Sequence, residues 1–275
     1  MIASIIRLFG YMIADLLPLG GEIHFRLMNY YFKYPLLSYE SLVIVHVLLI
    51  LGLSLYFSRD ILNMFGEFFR GIWIIASGRA TIKRTCTDFK MLNMLLVTIL
   101  VSFVAFFLIF LRMDYEYSLY LVGAMLILSA IVLRVAEVFT LIKIDAKVMN
   151  FKESMLFALL QALAMFPGVA RPALFMSVGK FLGVERKHLA KMVFISLIPI
   201  LVFELVFVVG VDPTQIIGIL YRSWLLCAIL LALLIIALDV VFVITTSSSY
   251  YKFYYYLAGL GVWTILDLLF AKRGL

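Results

Sequence analysis

Charge is scarce in this chain. Only 14% of its 275 residues are Asp, Glu, Lys or Arg, against 65% hydrophobic residues, and the mean hydropathy is +1.14. A soluble domain carries roughly 25% charged residues, so the balance excludes one and leaves an integral membrane protein. Cysteine is nearly absent. Cys86 stands in a basic stretch and Cys227 in an apolar one, which offers neither a disulfide framework nor a metal-ligand spacing. Long polar stretches are missing too. The longest, from Gly78 to Lys90, has the length of a loop, so residues 1–275 are expected to form a single membrane domain.

What remains is mostly apolar and aromatic. Runs long enough to cross the ~30 Å hydrocarbon layer recur over Leu42–Phe57, Met91–Leu111, Leu119–Leu141, Leu189–Val209, Trp224–Ile244 and Phe253–Phe270. All six are expected as helices. The 24 Phe and 15 Tyr suit lipid-facing and boundary positions, and Tyr250, Tyr251 and Tyr254–Tyr256 suit an interfacial belt. A net charge of +7 reads as basic loops against an anionic leaflet, not as nucleic-acid binding. Asp15 interrupts the first apolar stretch, Met1–Leu19, which fits a retained segment better than a cleaved signal peptide.

Two shorter apolar stretches break at proline. Ile2–Leu17 runs into Pro18, Gly20 and Gly21, and Met155–Phe166 runs into Pro167 and Gly168. Loop charges say how they lie. Arg59, Arg70, Arg79, Lys83, Arg84 and Lys90 put that stretch in the cytoplasm, and the Asp114–Glu116 loop is then outside. Lys143, Lys147 and Lys152 return the chain to the cytoplasm, and Arg186, Lys187 and Lys191 keep it there. The segment between must therefore enter and leave on one side. The first broken pair enters from the opposite face. Pro18 and Pro167 stand 149 residues apart, and each is followed by three spans. The expected architecture is all-α: six transmembrane helices and two re-entrant broken pairs, in inverted repeats of roughly 1–142 and 150–270. Lys272 and Arg273 fall outside in this arrangement and count against it.

The strongest candidate for chemistry is Arg171, which follows Pro167 and Gly168 between apolar runs. A guanidinium at membrane depth costs a few kcal/mol and marks a pathway or a site. Its fork can hold two phosphate oxygens at once, and amides freed near Gly168 and Val169 could add anion contacts. The plainer reading is an Arg that snorkels or pairs with a carboxylate. His24 has the proton affinity for a nucleophile or general acid, or it is a hydrogen-bonded packing residue. Asp15 and Glu22 could hold a divalent cation, orient His24 or activate water. His46 and His188 read as structural or loop residues. Glu137, Glu204 and Asp239 read as interhelical ties or cavity groups, with Arg134 spaced to pair with Glu137.

These segments resemble a known family. Gln161-Ala-Leu-Ala-Met-Phe-Pro-Gly-Val-Ala-Arg171 is similar to the second signature of the undecaprenyl pyrophosphate phosphatases, the bacitracin-resistance family, whose motif is Pro-Gly-x-Ser-Arg-Ser-Gly. The stretch from Gly183 to Ser196-Leu-Ile-Pro199 resembles the segment that follows it. Asp15-Leu-Leu-Pro-Leu-Gly-Gly-Glu-Ile-His24 resembles the first signature, Glu-Phe-Leu-Pro-x-Ser-Ser-x-Gly-His. The resemblance implies inverted repeats and hydrolysis of a polyprenyl diphosphate lipid to its monophosphate, recycling the carrier of cell-wall precursors in the bacterial plasma membrane. It implies catalytic roles for His24, Asp15 and Arg171, and phosphate contacts from Arg171, Gly168, Val169, Gly20 and Gly21. It also implies a divalent cation, Mg²⁺ or Ca²⁺, for which Asp15 is a ligand; Glu22, which has no counterpart in the family, could stand in for the acid missing at Tyr11 or be a wet loop charge. The signatures depart in one direction. Tyr11 stands for a second acid, Gly20, Gly21, Ala170 and Pro172 for hydroxyl residues, and Ile23 and Ala173 for glycines. Two other readings stay open: a homologue that binds or translocates polyprenyl phosphate without turnover, and an inverted-repeat transporter.

Overall fold

The first apolar stretch folds as a broken pair. Leu8, Tyr11, Met12 and Leu16 form one buried stripe along α1 (Ile2–Leu16), and the chain turns at residues 17–19. Gly20 takes φ 74°, a conformation that favours glycine, and α2 (Gly21–Phe32) starts immediately after it. A Cβ on Gly21 would stand 2.7 Å from the Tyr11 carbonyl oxygen, so the second helix begins against the backbone of the first. At 1.5 Å per residue the two helices reach about 22 and 18 Å, and neither crosses ~30 Å of hydrocarbon alone. Lys33 ends α2 in the left-handed region at φ 53° and donates its N–H to the Met28 carbonyl.

This computed structural model describes residues 2–78, 99–104, 118–138, 156, 159, 169–210, 212–247, 250 and 252–271, and among them every regular element is helical. After α2 come α3 (Tyr39–Tyr56) and α4 (Ser58–Ala76), then α5 (Leu119–Val138) and α6 (Arg171–Phe181). Next, α7 (Arg186–Phe203) passes into a π turn over Glu204–Val208; α8 (Pro213–Arg222), α9 (Trp224–Thr246) and α10 (Phe253–Ala271) follow. Five helices are long and apolar enough to cross a membrane: Tyr39–Tyr56, Leu119–Val138, Arg186–Phe207, Trp224–Thr246 and Phe253–Phe270. They coincide with five of the six expected spans. Met91–Leu111 falls largely outside the described residues, with 99–104 helical. The protein is an all-helical membrane protein.

The span at the centre is α7, 67% of which is buried inside the bundle, whereas α10 is 17% buried and faces outward. Around α7 pack α3, α6 and α9, and α1 lies on α2, α3 and α9. A second contact joins α5 to α10 at a pair of glycines. A Cβ on Gly261 would meet the Gly123 carbonyl oxygen at 2.8 Å, so small residues let these backbones touch. Polar groups tie helices elsewhere. Lys191 on α7 bonds Asp60 on α4 at 2.7 Å, and Tyr56 on α3 donates to Asp239 on α9 at 2.6 Å. Arg134 pairs with Glu137 at 2.8 Å, as their spacing predicts, and the Glu137 carbonyl also accepts from Lys180 on α6.

Among the described residues, two helices, α4 and α8, lie outside both the expected spans and the expected broken pairs. Along α4, Leu62, Phe65, Phe69, Ile72 and Trp73 form an exposed apolar face, while α8 is capped by Asp212, whose Oδ1 accepts from Thr214 N at 2.9 Å. Those bonds hold the Asp212 carboxyl below its usual range. Met155–Phe166 apart from residues 156 and 159, together with Pro167, Gly168, Cys86, Lys83, the Asp114–Glu116 loop, Lys143, Lys147, Lys152, Lys272 and Arg273, lie outside the described residues.

Candidate functional site

Arg171 is the first residue of α6, and Pro172 follows it, where the helix start asks for no N–H. Ser129 of α5 fixes this start by accepting from Ala170 N at 3.2 Å. The Arg171 side chain, 17% exposed, reaches across to α7, and its Nη1 stands 2.7 Å from Glu204 Oε1. The contact is an ion pair without a well-directed hydrogen bond, so Nη1 retains unmet donor capacity among the described residues.

Glu204 opens the π turn. Pro199, inside α7, withholds a backbone N–H one turn earlier, and the wider turn over Glu204–Val208 follows, closed by Val209 N on Glu204 O at 2.9 Å. The second carboxylate oxygen of Glu204 lies 3.6 Å from His46 Nε2 on α3. The other ring nitrogen, Nδ1, bonds the Leu42 carbonyl at 2.8 Å.

Arg171, Glu204 and His46 line one open-mouthed cavity of about 180 Å³, together with Asp15, Tyr11, Arg26 and apolar residues including Leu36, Leu37 and Leu42. Asp15 is near enough for its charge to act on both Arg171 and His46. The polar end of the cavity thus holds two guanidinium groups, an imidazole and two carboxylates. Such a set can bind a multiply charged anion, position water and move a proton. Among the described residues no three His, Cys, Asp or Glu side chains gather as a metal cage.

The residues singled out from sequence are distributed unevenly. Asp15 and Arg171 meet in the cavity. His24 does not line it: Nδ1 stands 2.9 Å from Gly20 O, and Nε2 stands 2.5 Å from the Tyr256 hydroxyl on α10. Its ring stacks on that of Tyr256 at 5.6 Å. Gly20 and Gly21 make the turn between α1 and α2 without lining the cavity, and Val169 is buried just ahead of α6. The Glu22 side chain and Gly168 lie outside the described residues. His188 stands 3.8 Å from Glu185 at the start of α7.

Sequence reasoning read His46 as a structural or loop residue, passed over Arg26, and read Glu204 as an interhelical tie or cavity group; Glu204 is both, and His46 lines the cavity. His46 had a signal available, being the one imidazole inside the apolar run Leu42–Phe57, which carries no Asp, Glu, Lys or Arg.

Comparison with known proteins bears on this cavity. A family model described as Bacitracin resistance protein BacA matches residues 12–263. An undecaprenyl-diphosphatase of Prosthecochloris aestuarii is 28% identical over 77% of this chain and 72% of its own length. Those of Pelotomaculum thermopropionicum and Geotalea daltonii are each 24% identical. They cover 78% and 74% of this chain, and 82% and 76% of their own lengths.

Proposed function

This chain belongs to the bacitracin resistance protein BacA family, and on that premise we propose that it hydrolyses undecaprenyl or a related polyprenyl diphosphate to the monophosphate and phosphate. The product is the recycled lipid carrier of cell-wall synthesis. The observation that carries the reading is Arg171, a buried fork with unmet donors, set beside Asp15 in a cavity that opens among apolar side chains. The fork suits two non-bridging oxygens of the terminal phosphate. Leu36, Leu37 and Leu42 suit the first isoprene units of the tail.

Water is the nucleophile. Among the described lining residues the one hydroxyl is the Tyr11 phenol; of the buried serines, Ser129 accepts from Ala170 N at 3.2 Å, and Ser177 and Ser196 donate to carbonyls of their own helices, Ala173 O at 2.7 Å and Val193 O at 2.8 Å. Asp15 takes the proton of the attacking water, and Arg171 holds the charge of the phosphoryl group in transfer. His24 pins α2 to α10 through Tyr256 and so holds the broken pair in place. Asp15 would hold a Mg²⁺ or Ca²⁺ ion that arrives with the diphosphate, and such an ion would neutralise charge on the phosphate oxygens.

The same proposal places the protein in the bacterial plasma membrane as a multi-pass domain of two inverted repeats. Its two ion-pair partners would then come from one repeat, and Asp15 and His46 from the other. The test is phosphate release from undecaprenyl diphosphate by the purified, detergent-solubilised protein. Steady release at a rate lost on Arg171→Ala supports the reading. A silent wild type that still binds the lipid would favour a binding or translocating homologue, the reading to which the missing signature hydroxyls point.

A further inference from the structure

We infer that Arg26 holds the phosphate that stays on the lipid, so that the cavity reads a diphosphate with two guanidinium groups, one for each phosphate. This rests on the hydrolytic reading of the cavity and supplies the second half of its substrate contact. Depth in the cavity orders the groups. Along α3, Tyr39 is exposed, Leu42 half-buried and His46 buried, so this wall runs inward from its first turn. Glu204 meets His46 at that inner end, and Arg171 meets Glu204. Leu36, 51% exposed, stands at the mouth.

Arg26 belongs between these ends. The hairpin of α1 and α2 is antiparallel, and its contacts fall at successive levels. Gly21 starts α2 against Tyr11 and Asp15. Further along, the Phe25 ring lies 5.2 Å from that of Tyr11 and 6.0 Å from the Arg7 guanidinium. At the outer end Arg7 lies 5.1 Å from the Tyr34 ring and donates to the Pro35 carbonyl, which ties down the lip that carries Leu36 and Leu37. Arg26 is five residues beyond Gly21, about 7.5 Å along the helix axis toward that lip. It is half-buried and lines the cavity.

A lipid diphosphate must lie in the same order. Its terminal phosphate goes innermost, to Arg171 and Asp15, its tail leaves past the leucines of the mouth, and the phosphate joined to the tail falls between. A phosphate monoester carries about 1.5–2 negative charges near neutral pH, and a diphosphate more. Arg171 already shares its charge with Glu204 at 2.7 Å, and one fork grips the oxygens of one phosphate. The second phosphate therefore calls for the second guanidinium that the cavity holds. Its role differs in kind from that of Arg171. The retained phosphate is present in substrate, transition state and product alike, so the contact is felt in KM and in product binding more than in kcat. An arginine that only tied α2 to a neighbouring helix would leave both unchanged.

The test compares the full-length, detergent-solubilised wild type with Arg26→Gln and Arg26→Lys. With undecaprenyl diphosphate, Arg26→Gln should raise KM about 10–100-fold and leave kcat within a few-fold. Inhibition by undecaprenyl monophosphate should weaken by the same factor, while inhibition by inorganic phosphate, which Arg171 holds, stays within a few-fold of wild type. Arg26→Lys should recover part of the affinity, because the charge returns without the fork. Arginine-selective dicarbonyl labelling of the wild type, read by mass spectrometry, should show Arg26 protected by undecaprenyl monophosphate and not by inorganic phosphate. That result decides the matter even where the variants do not fold. A folded Arg26→Gln with wild-type KM and monophosphate inhibition, or with a loss confined to kcat, overturns the inference and leaves the hydrolase reading standing. Labelling of Arg26 that the monophosphate does not slow does the same. A wild type that releases no phosphate overturns the hydrolase reading. Equilibrium binding of the monophosphate then still tests the contact: weakening by the same factor in Arg26→Gln supports it, and unchanged binding overturns it.

Discussion

Breaking the Arg171–Glu204 pair and removing it whole should have opposite consequences for stability. The two charges stand 2.7 Å apart with side chains 17% and 15% exposed, mostly out of water. Losing one partner of a buried pair costs about 3–5 kcal/mol, because the other charge is stranded, whereas replacing both by apolar groups of similar size is often neutral. The residual exposure puts each single change at the lower end, about 3 kcal/mol. For a chain of this size that is a fall in Tm of about 6–12 °C. Each survivor keeps one neighbour, Arg171 the charge of Asp15 and Glu204 the imidazole of His46 at 3.6 Å, which supports the lower figure for both single changes. The double change Arg171→Met with Glu204→Met should return to within about 1 kcal/mol of wild type, a coupling of about 5 kcal/mol. Thermal unfolding of the detergent-solubilised protein reads the stability, and phosphate release stays absent wherever Arg171 is gone. Additive effects, with coupling under about 0.5 kcal/mol, would refute the argument, because they would mean that the charges do not share this geometry in solution.

Other consequences can be measured separately. Arg171→Lys should fold but lose about 10²-fold in kcat/KM, since an ammonium cannot grip two oxygens in one plane; activity within a few-fold of wild type would exclude the forked contact. Gly261→Ala places a Cβ 2.8 Å from the Gly123 carbonyl oxygen, so a loss of about 1–3 kcal/mol in thermal unfolding is expected at the α5–α10 contact. Cysteines introduced at Lys187 and Gln215 should react with an impermeant reagent from opposite sides of the membrane, that at 187 from the cytoplasm; labelling from one side would dismantle the orientation of α7. Asp212 has its carboxyl held low by Thr214, so its contribution as a cap is present above pH ~4 and lost as pH falls below it. Asp212→Asn should flatten that acid limb of the unfolding curve.

The spans were legible because lipid imposes length and apolarity together: a run such as Trp224–Ile244 has no soluble interpretation. The helices α4 and α8 were not, since a short amphipathic helix carries the same charges as a loop. Arg171 announced itself by being charged where its neighbours are apolar. Its partner did not, because Glu204, His46 and Asp15 come from three elements, and nothing in a single sequence says which side chains turn toward the same cavity. The position of His24 was hidden for the same reason. The hydroxyl that engages it belongs to Tyr256, 232 residues along the chain. The helix break after Leu16 was legible from Pro18 and the two glycines, whose backbone chemistry is local.

The π turn at Glu204–Val208 has a consequence for how this chain can change its length. A π turn contains one residue more than an α-helix needs between the same two ends, and the bond from Val209 to Glu204 spans that surplus. Deleting any one of residues 205–208 would restore ordinary helical bonding, so the backbone would accept it. Because the residue removed is the surplus one, the two ends would keep their places, with the residue now numbered Val209 still at the cavity wall. The spacing between Glu204 and Val209 therefore tolerates the loss of one residue, whereas Leu205, buried within it, does not tolerate a polar side chain.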